Sequence, residues 1–438
     1  MRKVLPLMIA GCLSAGLAHG ADLMAVYRDA IAYDAQYAAS RAALEAGREK
    51  LPQGRSGLLP TIGLAASTTW NDNDTIVRAT GTKTNTQYNS NGWTVTLSQP
   101  LFRWQNWVAY TQSELAVAQA EAQFGLARQE LIVRAAQAYF DVLLAQDTLA
   151  TAQAQKVAIA EQLESAKRNF EVGTATITDT HEAQARYDLT YAQEIAADND
   201  LTVKRQVLRS VIGKEPEGLK NLRPGVQLVR PQPDDIGKWV EMAESASASV
   251  QIYQTLNEIA TREIEKQRAG HYPTLDLVAT RGRNNNVTAT SPAFADRDSS
   301  SVGLQLSIPI FAGGATASKD REAVALKEKA GADLENARRT AALNARQAYL
   351  GVSSGLAQVK AYEAALTSSQ SALDSNKLGY EVGVRINIDV LNAQSQLFDT
   401  RQKLAKARLD TLAALLKLKA AAGSLGEDDV AAINALLQ

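Results

Sequence analysis

The chain has 438 residues, enough for roughly three independent domains at about 150 residues each, and its 46 Lys plus Arg stand against 47 Asp plus Glu for a formal net charge of -1. That balance leaves no basic excess to neutralise nucleic acid, so no nucleic-acid partner is expected. A mean hydropathy of -0.20 excludes a polytopic helical membrane protein, while 6% aromatics and only 11 prolines in a chain rich in Ala, Gln and Leu favour long helices.

Met1-Arg2-Lys3 followed by the apolar run Val4 to Ala18 has the form of a secretory signal, too short to span a bilayer as a helix. Small residues at Ala18-His19-Gly20 place the mature start near Ala21, so residues 1–20 are assigned to the signal peptide. Ile9-Ala10-Gly11-Cys12 also resembles a lipoprotein box, but the apolar run continues past Cys12. Cleavage at Ala21 leaves a mature chain without cysteine, so an exported protein must be stabilised by packing or oligomerisation. No later run approaches the about 18 apolar residues of a spanning helix, and any membrane crossing must use strands.

The prolines leave two long free stretches, 101–215 and 310–438, suited to very long helices. Within the first, Leu131, Ala135, Ala138, Val142, Ala145, Leu149, Ala152, Ile159, Leu163, Ala166 and Phe170 alternate steps of three and four, with Lys156 the one polar interruption: a coiled-coil seam. The chain also repeats itself. Gln137-Ala138-Tyr139 matches Gln347-Ala348-Tyr349, Glu171-Val172-Gly173 matches Glu381-Val382-Gly383, and Ala183-Gln184 matches Ala393-Gln394, all 210 residues apart. Leu59-Pro60-Thr61 matches Tyr272-Pro273-Thr274, and Gln99-Pro100-Leu101-Phe102 matches Ile308-Pro309-Ile310-Phe311. Two copies of one unit, 21–212 and 236–423, are therefore expected, joined by a Pro-rich linker at 213–235 and followed by a segment at 424–438.

Each unit reads as helix, strand, polar loop, strand, long helix, turn, return helix. The first is expected to comprise a helix from Asp22 to Ser56, strands Thr61–Trp70 and Gly92–Gln99, a long helix Trp104–Glu171 and a return helix Thr178–Ile212. The second strand pair falls at about 274–309, and Gly173 and Gly383 sit where the long helices turn back. The strands alternate: Ile62, Leu64, Ala66 and Trp70 oppose small or polar neighbours, as do Trp93, Val95 and Leu97, and Val302, Leu304, Leu306 and Ile308. Such alternation suits both a half-buried soluble hairpin and a membrane barrel with an apolar outside. The export signal, and the absence of anything else able to cover four strands, favour the barrel. Four strands cannot close one, since even a small barrel needs about eight; three copies would supply twelve.

These residues resemble the TolC family of outer-membrane efflux and type I secretion channels. The likeness rests on Leu58-Leu59-Pro60, Ala138-Tyr139-Phe140-Asp141-Val142-Leu143, Phe170-Glu171-Val172-Gly173-Thr174 and His271-Tyr272-Pro273-Thr274-Leu275-Asp276-Leu277. To these add Pro309-Ile310-Phe311-Ala312-Gly313-Gly314, Gly379-Tyr380-Glu381-Val382-Gly383 and Ile388-Asp389-Val390-Leu391. The resemblance implies a mainly α fold with membrane β: a homotrimer with a twelve-stranded β-barrel continuous with an α-helical coiled-coil barrel, and an equatorial belt from 213–235 and 424–438. It implies a passive duct, opened at its periplasmic tip by an adaptor (membrane fusion protein) and energised by an inner-membrane transporter of the RND, MFS or ABC type. It further implies gate links in which Tyr380 bonds toward Gln162 and Asp179 and Arg385 pairs with Asp179. Asp389 would project into the pore. Where the family carries a second acid one turn later, this chain has Asn392, which halves the acidic residues at the constriction and weakens cation binding. The tips Val172-Gly173-Thr174 and Val382-Gly383-Val384 would meet the adaptor. On residue chemistry alone, Asp179 and Asp389 follow turns, where an acid also stabilises a helix N-terminus, and the tips also read as plain turns.

Catalysis has little support. His19 leaves with the signal, and His181 and His271 form no metal-ligand spacing; no GxxxxGK[ST] loop exists, and no cofactor is expected. A different class, a periplasmic coiled-coil adaptor or scaffold, would also be exported, cysteine-free and heptad-rich. Adaptors carry a lipoyl-like β-domain and a single hairpin, whereas this chain has two.

Overall fold

The computed structural model describes residues 21–216, 218–285 and 296–438. The signal peptide, Cys12 and His19 lie outside the described residues. The described chain divides into two compact units: one comprises residues up to 39, 126–247 and 341–438, the other residues 40–125 and 248–340.

The repeat is visible down to its irregularities. Instead of one N-terminal helix there are three, α1 (Leu23–Tyr33), α2 (Ala35–Arg48) and α3 (Lys50–Ser56). Asp34 makes the first break: its carboxylate accepts from Tyr37 N–H at 2.7 Å and caps α2, while Arg134 pairs with it at 2.8 Å. The long helix α4 (Trp104–Glu171) and return helix α5 (Ile177–Ile212) follow the first strand pair. In the second copy, α6 (Ile236–Ala246) has the same length as α1 and breaks at Ser247 before α7 (Ala248–Arg268); α8 (Ala315–Glu381), α9 (Asn387–Ala421) and a short α10 (Glu427–Asn434) complete the chain. Asp22 and Asp235 cap α1 and α6 through their side chains. Each long helix ends on a glycine at positive φ, 79° at Gly173 and 77° at Gly383. The N–H five residues past the carbonyl closes each turn, Thr174 to Asn169 and Val384 to Gly379.

The seam of α4 is buried from Leu131 to Ala166, apart from half-buried Leu149 and Lys156, whereas Phe170 is exposed. Between Leu131 and Ala145 the buried stripe widens to include Ile132, Ala136, Tyr139, Phe140 and Leu143. Here α1, α5, α9 and α10 all pack on α4 through Val26, Tyr27, Leu208, Leu416 and Ile433. The linker and the C-terminal segment meet through a Leu222–Leu437 bridge, with Arg223 N–H donating to Leu436 C=O and Gln438 N–H to Asn221 C=O. Tyr139, wholly buried, donates its hydroxyl to Lys220 C=O at 2.7 Å, and burial pushes its pKa upward.

The second unit holds the sheet. The strands are longer than expected: β1 (Thr61–Val77) and β2 (Thr82–Phe102) pair without interruption across the Asn-, Thr- and Asp-rich stretch expected to loop. Polar side chains brace that extension, Asn85 donating to Asp72 and Asp74 and Thr68 to Asn89. Alternation of apolar residues stops at Trp70, but backbone pairing does not need it. β3 (Thr274–Asn285) and β4 (Arg297–Ser307) form the second pair, and β2 pairs with β3, so all four strands make one antiparallel sheet in chain order. The register puts Ile62, Leu64 and Ala66 opposite Leu97, Val95 and Trp93, and Leu277 and Ala279 opposite Leu304 and Val302. The other face carries Thr61, Gly63, Ser67, Thr94, Thr96, Gln305 and Ser307. Arg103 forks onto Asp276 at 2.8 and 2.6 Å, tying the end of β2 to β3.

Asp147 on α4 lines a cavity of about 330 Å³ with Arg223 and Arg408, whose guanidinium is engaged by Glu363 at 2.7 Å. Burial alone holds the Asp147 carboxyl above the ordinary carboxylate range. The folded chain therefore binds this proton more readily than the unfolded chain. The group costs stability above its folded pKa, and the cost is relieved as pH falls through that value. Asp147→Asn is expected to raise the melting temperature at about pH 7, with a gain that shrinks toward about pH 4; an equal gain at both would acquit the carboxylate.

Candidate gate site at the hairpin tips

The helix hairpins α4–α5 and α8–α9 end in the turns around Gly173 and Gly383. Three helices converge just before these ends: Ile159, Leu163 and Ala166 of α4 pack with Ala183 of α5 and Leu391 of α9. A second cluster joins Leu373 of α8 to Val390 and Leu397 of α9, with Tyr380 against it. The apolar layer thus crosses from the first hairpin to the second within one chain.

Polar links overlie this layer, and their partners differ from those expected. Tyr380 accepts at its hydroxyl from Asn169 Nδ2 at 3.0 Å, not from Gln162 or Asp179. Level along the helix explains this: Gln162 stands seven residues earlier on α4, about 10.5 Å down the axis from Asn169. Gln162 Nε2 instead donates to Oδ1 of Asn387, which is 2% exposed. Asp179 is held at home: Thr176 donates its N–H and hydroxyl to the Asp179 carboxylate at 2.9 and 2.8 Å, while its Oγ1 accepts from Asp179 N–H at 3.3 Å. That is a complete capping box on α5. With Asp179 occupied, Arg385 turns to Asp389, 3.6 Å away on its own chain. Asn392 accepts from Arg186 of α5 at 2.8 Å, a second link from the first hairpin to α9.

The two tips are not equivalent. Where α5 begins at Thr176, α9 begins at Ile386, which offers no capping side chain. Asp389 stands at the position of Asp179 but has no hydroxyl to pair with, and so is free to take Arg385. Three buried polar atoms near these ends lack a protein partner: Thr180 Oγ1, Asn387 Nδ2 and Gln394 Oε1. Val172, Val382, Val384 and Ile386 are exposed at 61–75%. Among the site residues, Asn169, Thr176, Arg186, Asn387 and Gln394 were not anticipated. The Thr176-x-x-Asp179 spacing is a readable capping signal; buried amides facing a neighbouring helix leave none. Among the described residues no group of His, Cys, Asp and Glu is arranged to hold a metal.

A sheet apolar along one face, carried on chain that runs directly into paired coiled-coil hairpins, defines a channel protein of the outer membrane. The outer membrane efflux protein family matches the chain over residues 26–214 and 239–424, one block per repeat. TolC of Vibrio cholerae serotype O1 is 33% identical over 442 residues, covering 100% of this chain and 99% of that protein. The alkaline protease secretion protein AprF of Pseudomonas aeruginosa is 32% identical, covering 93% of this chain and 86% of that protein. The crystal structure of the Campylobacter jejuni CmeC outer membrane channel shares the fold, with a TM-score of 0.81 over 100% of this chain and 98% of that one at 15% identity. The chain belongs to the outer membrane efflux protein family, and it is an outer-membrane protein.

Thr176→Ala should cost about 1 kcal/mol at the start of α5, and Ile386→Thr should add a similar amount at the start of α9. Amide hydrogen exchange over the first turns of both helices reads each change; unaltered exchange at α9 in Ile386→Thr would show that Asp389 cannot leave Arg385.

Proposed function

We propose that three copies of this chain form an exit duct for efflux and type I secretion, closed at its periplasmic tip and opened by an adaptor and an energised inner-membrane transporter. The observation that carries this is the open sheet: β1 and β4 are edges with no partner among the described residues. An edge facing lipid leaves backbone N–H and C=O groups unsatisfied, so β1 of one copy must pair with β4 of the next. Three four-stranded sheets then make a barrel of twelve strands, with Ile62, Leu64, Val302 and Leu304 facing lipid and the Thr, Ser and Gly face lining the lumen. Residues 21–212 and 236–423 act as the two equivalent halves, and 213–235 with 424–438 form the equatorial belt, a role supported by their mutual pairing in each chain.

The gate is placed at the hairpin tips. Gln162, Asn169, Tyr380 and Asn387 link the second hairpin to the first within a chain, and Asp179 and Arg385 serve their own helix starts. Asp389 and Asn392 line the constriction, and the exposed apolar tips Val172-Gly173-Thr174 and Val382-Gly383-Val384 meet the adaptor. Full-length protein in planar bilayers tests both parts. Wild type should give a small, cation-preferring conductance, and Tyr380→Phe with Gln162→Leu should raise it severalfold. Absence of channels defeats the duct; unchanged conductance removes these links from the gate. Asp389→Asn should move the reversal potential toward lower cation preference, and no movement would place Asp389 outside the pore.

A further inference from the structure

The sheet's register exposes a charge that conduction does not use. On the face bearing Ile62, Leu64 and Ala66, cross-strand pairing aligns Leu97 and Val95 of β2, Leu277 and Ala279 of β3, and Leu304 and Val302 of β4 into one apolar belt. Strand alternation keeps Arg281 and Arg283 of β3 on this same face, immediately beyond Ala279. Arg281 stands opposite Val95 on one side and Ser300 on the other; Arg283 stands opposite Trp93 and Asp298. Both arginines are exposed. Arg283 has Asp296 and Asp298 at 3.5 and 3.7 Å and donates to Asn285 at 3.3 Å. Arg281 has no hydrogen-bond or ion-pair partner among the described residues. Nor can a neighbouring copy supply one across a strand ladder, because β3 lies inside the sheet with β2 and β4 of its own chain on either side.

An unpaired guanidinium flanked by Val95 and Ala279 at the rim of a hydrocarbon belt is costly, and its long stem lets the charge reach the headgroup layer. The counter-charges there are phosphates, which a planar guanidinium engages through two parallel N–H···O bonds. Direction along the strand decides the leaflet. β1 and β2 leave the helices at Thr61 and Phe102 and turn at Gly81, and Arg281 lies from the belt toward that turn, away from the helices. In an outer membrane that is the outer leaflet, built of phosphorylated glycolipid. Trp93, diagonal to Arg281, supplies an aromatic ring of the kind that anchors at this depth.

We propose that Arg281, flanked by Arg283 and Trp93, forms a lipid-phosphate site on the outer wall, one per chain, that holds the phosphate of an outer-leaflet glycolipid. It rests on the lipid-facing assignment of this sheet face, not on the gate.

The full-length oligomer is placed in phosphatidylcholine nanodiscs doped with bisphosphorylated lipid A, and retained lipid is counted by native mass spectrometry. Wild type should retain lipid A, and Arg281→Gln should lower its retention about fivefold. Arg297→Gln, opposite Asn284 on the lumenal face and about 10 Å further along the strand, should leave retention unchanged. On wild type, removal of the lipid A phosphates should match the Arg281→Gln loss, and excess inorganic phosphate should not displace the lipid. Equal retention by Arg281→Gln and wild type overturns the site, as does an equal loss in Arg297→Gln. Displacement by inorganic phosphate overturns the lipid as its ligand. A chain that does not enter the nanodisc overturns the barrel and the site with it, an outcome read before any lipid is counted.

Discussion

Everything in this chain follows from a sheet that cannot be finished alone. β1 and β4 present backbone donors and acceptors along their open edges, and hydrocarbon offers them nothing. A membrane demands partners for both edges, so in the proposed trimer insertion and oligomerisation are one event. With no cysteine in 21–438, packing and strand pairing carry the stability that disulfides would otherwise supply. Membrane placement also explains a surface that would be anomalous in a monomer. Ile62, Leu64, Val302 and Leu304 are exposed at 65–76%, a contiguous apolar face that water would penalise and lipid does not.

Duplication solves half of the closure problem and creates another. Two copies of a strand pair join through β2 and β3, so one chain contributes four strands in register where a single unit would contribute two. The same duplication yields two hairpins of nearly equal length, 68 and 36 residues against 67 and 35. Identical hairpins could only behave identically. Many substitutions separate them, two of them at the start of the return helix: Thr176 against Ile386, and Ile177 against Asn387 one residue later. The first gives α5 a closed capping box and leaves α9 without one. The second puts an amide into an apolar layer.

Much of the fold was legible because its signals are periodic. Proline gaps marked the long helices, steps of three and four marked the seam from Leu131 to Ala166, and alternation marked the faces of the strands. Signals failed where geometry is set by single side chains. The break at Asp34 is a local capping event in the middle of a helical pattern, and the length of β1 and β2 past Trp70 depends on cross-strand bonds among Asn, Thr and Asp, residues that ordinarily mark loops. At the tips, Asp179 was visible as both a helix-start acid and a link, and the capping partner Thr176 decides for the first within the chain. Within one chain Tyr380 meets Asn169 and Gln162 meets Asn387, at different levels along α4. A sequence records which residues lie on a helix face, whereas a bond also needs the relative height of two helices.

The amide in that layer has an energetic consequence. Asn387 and Gln394 lie seven residues apart on α9, 2% and 4% exposed, each with one buried polar atom unmatched. A buried polar atom without a partner costs about 1–3 kcal/mol, comparable to what a neighbouring leucine contributes by burial. Exposure to water removes that cost for the amides and imposes one on apolar residues. Asn387 and Gln394 interrupt the buried face of α9, so burial contributes less to its cohesion there than at Leu412 and Leu416, which pack into the core around Tyr139. An uncapped helix start at Ile386 acts in the same direction, because its first turn has less to lose on moving. Low cohesion at one end and a wide apolar core at the other are what a hairpin needs in order to move at its tip while its base stays fixed.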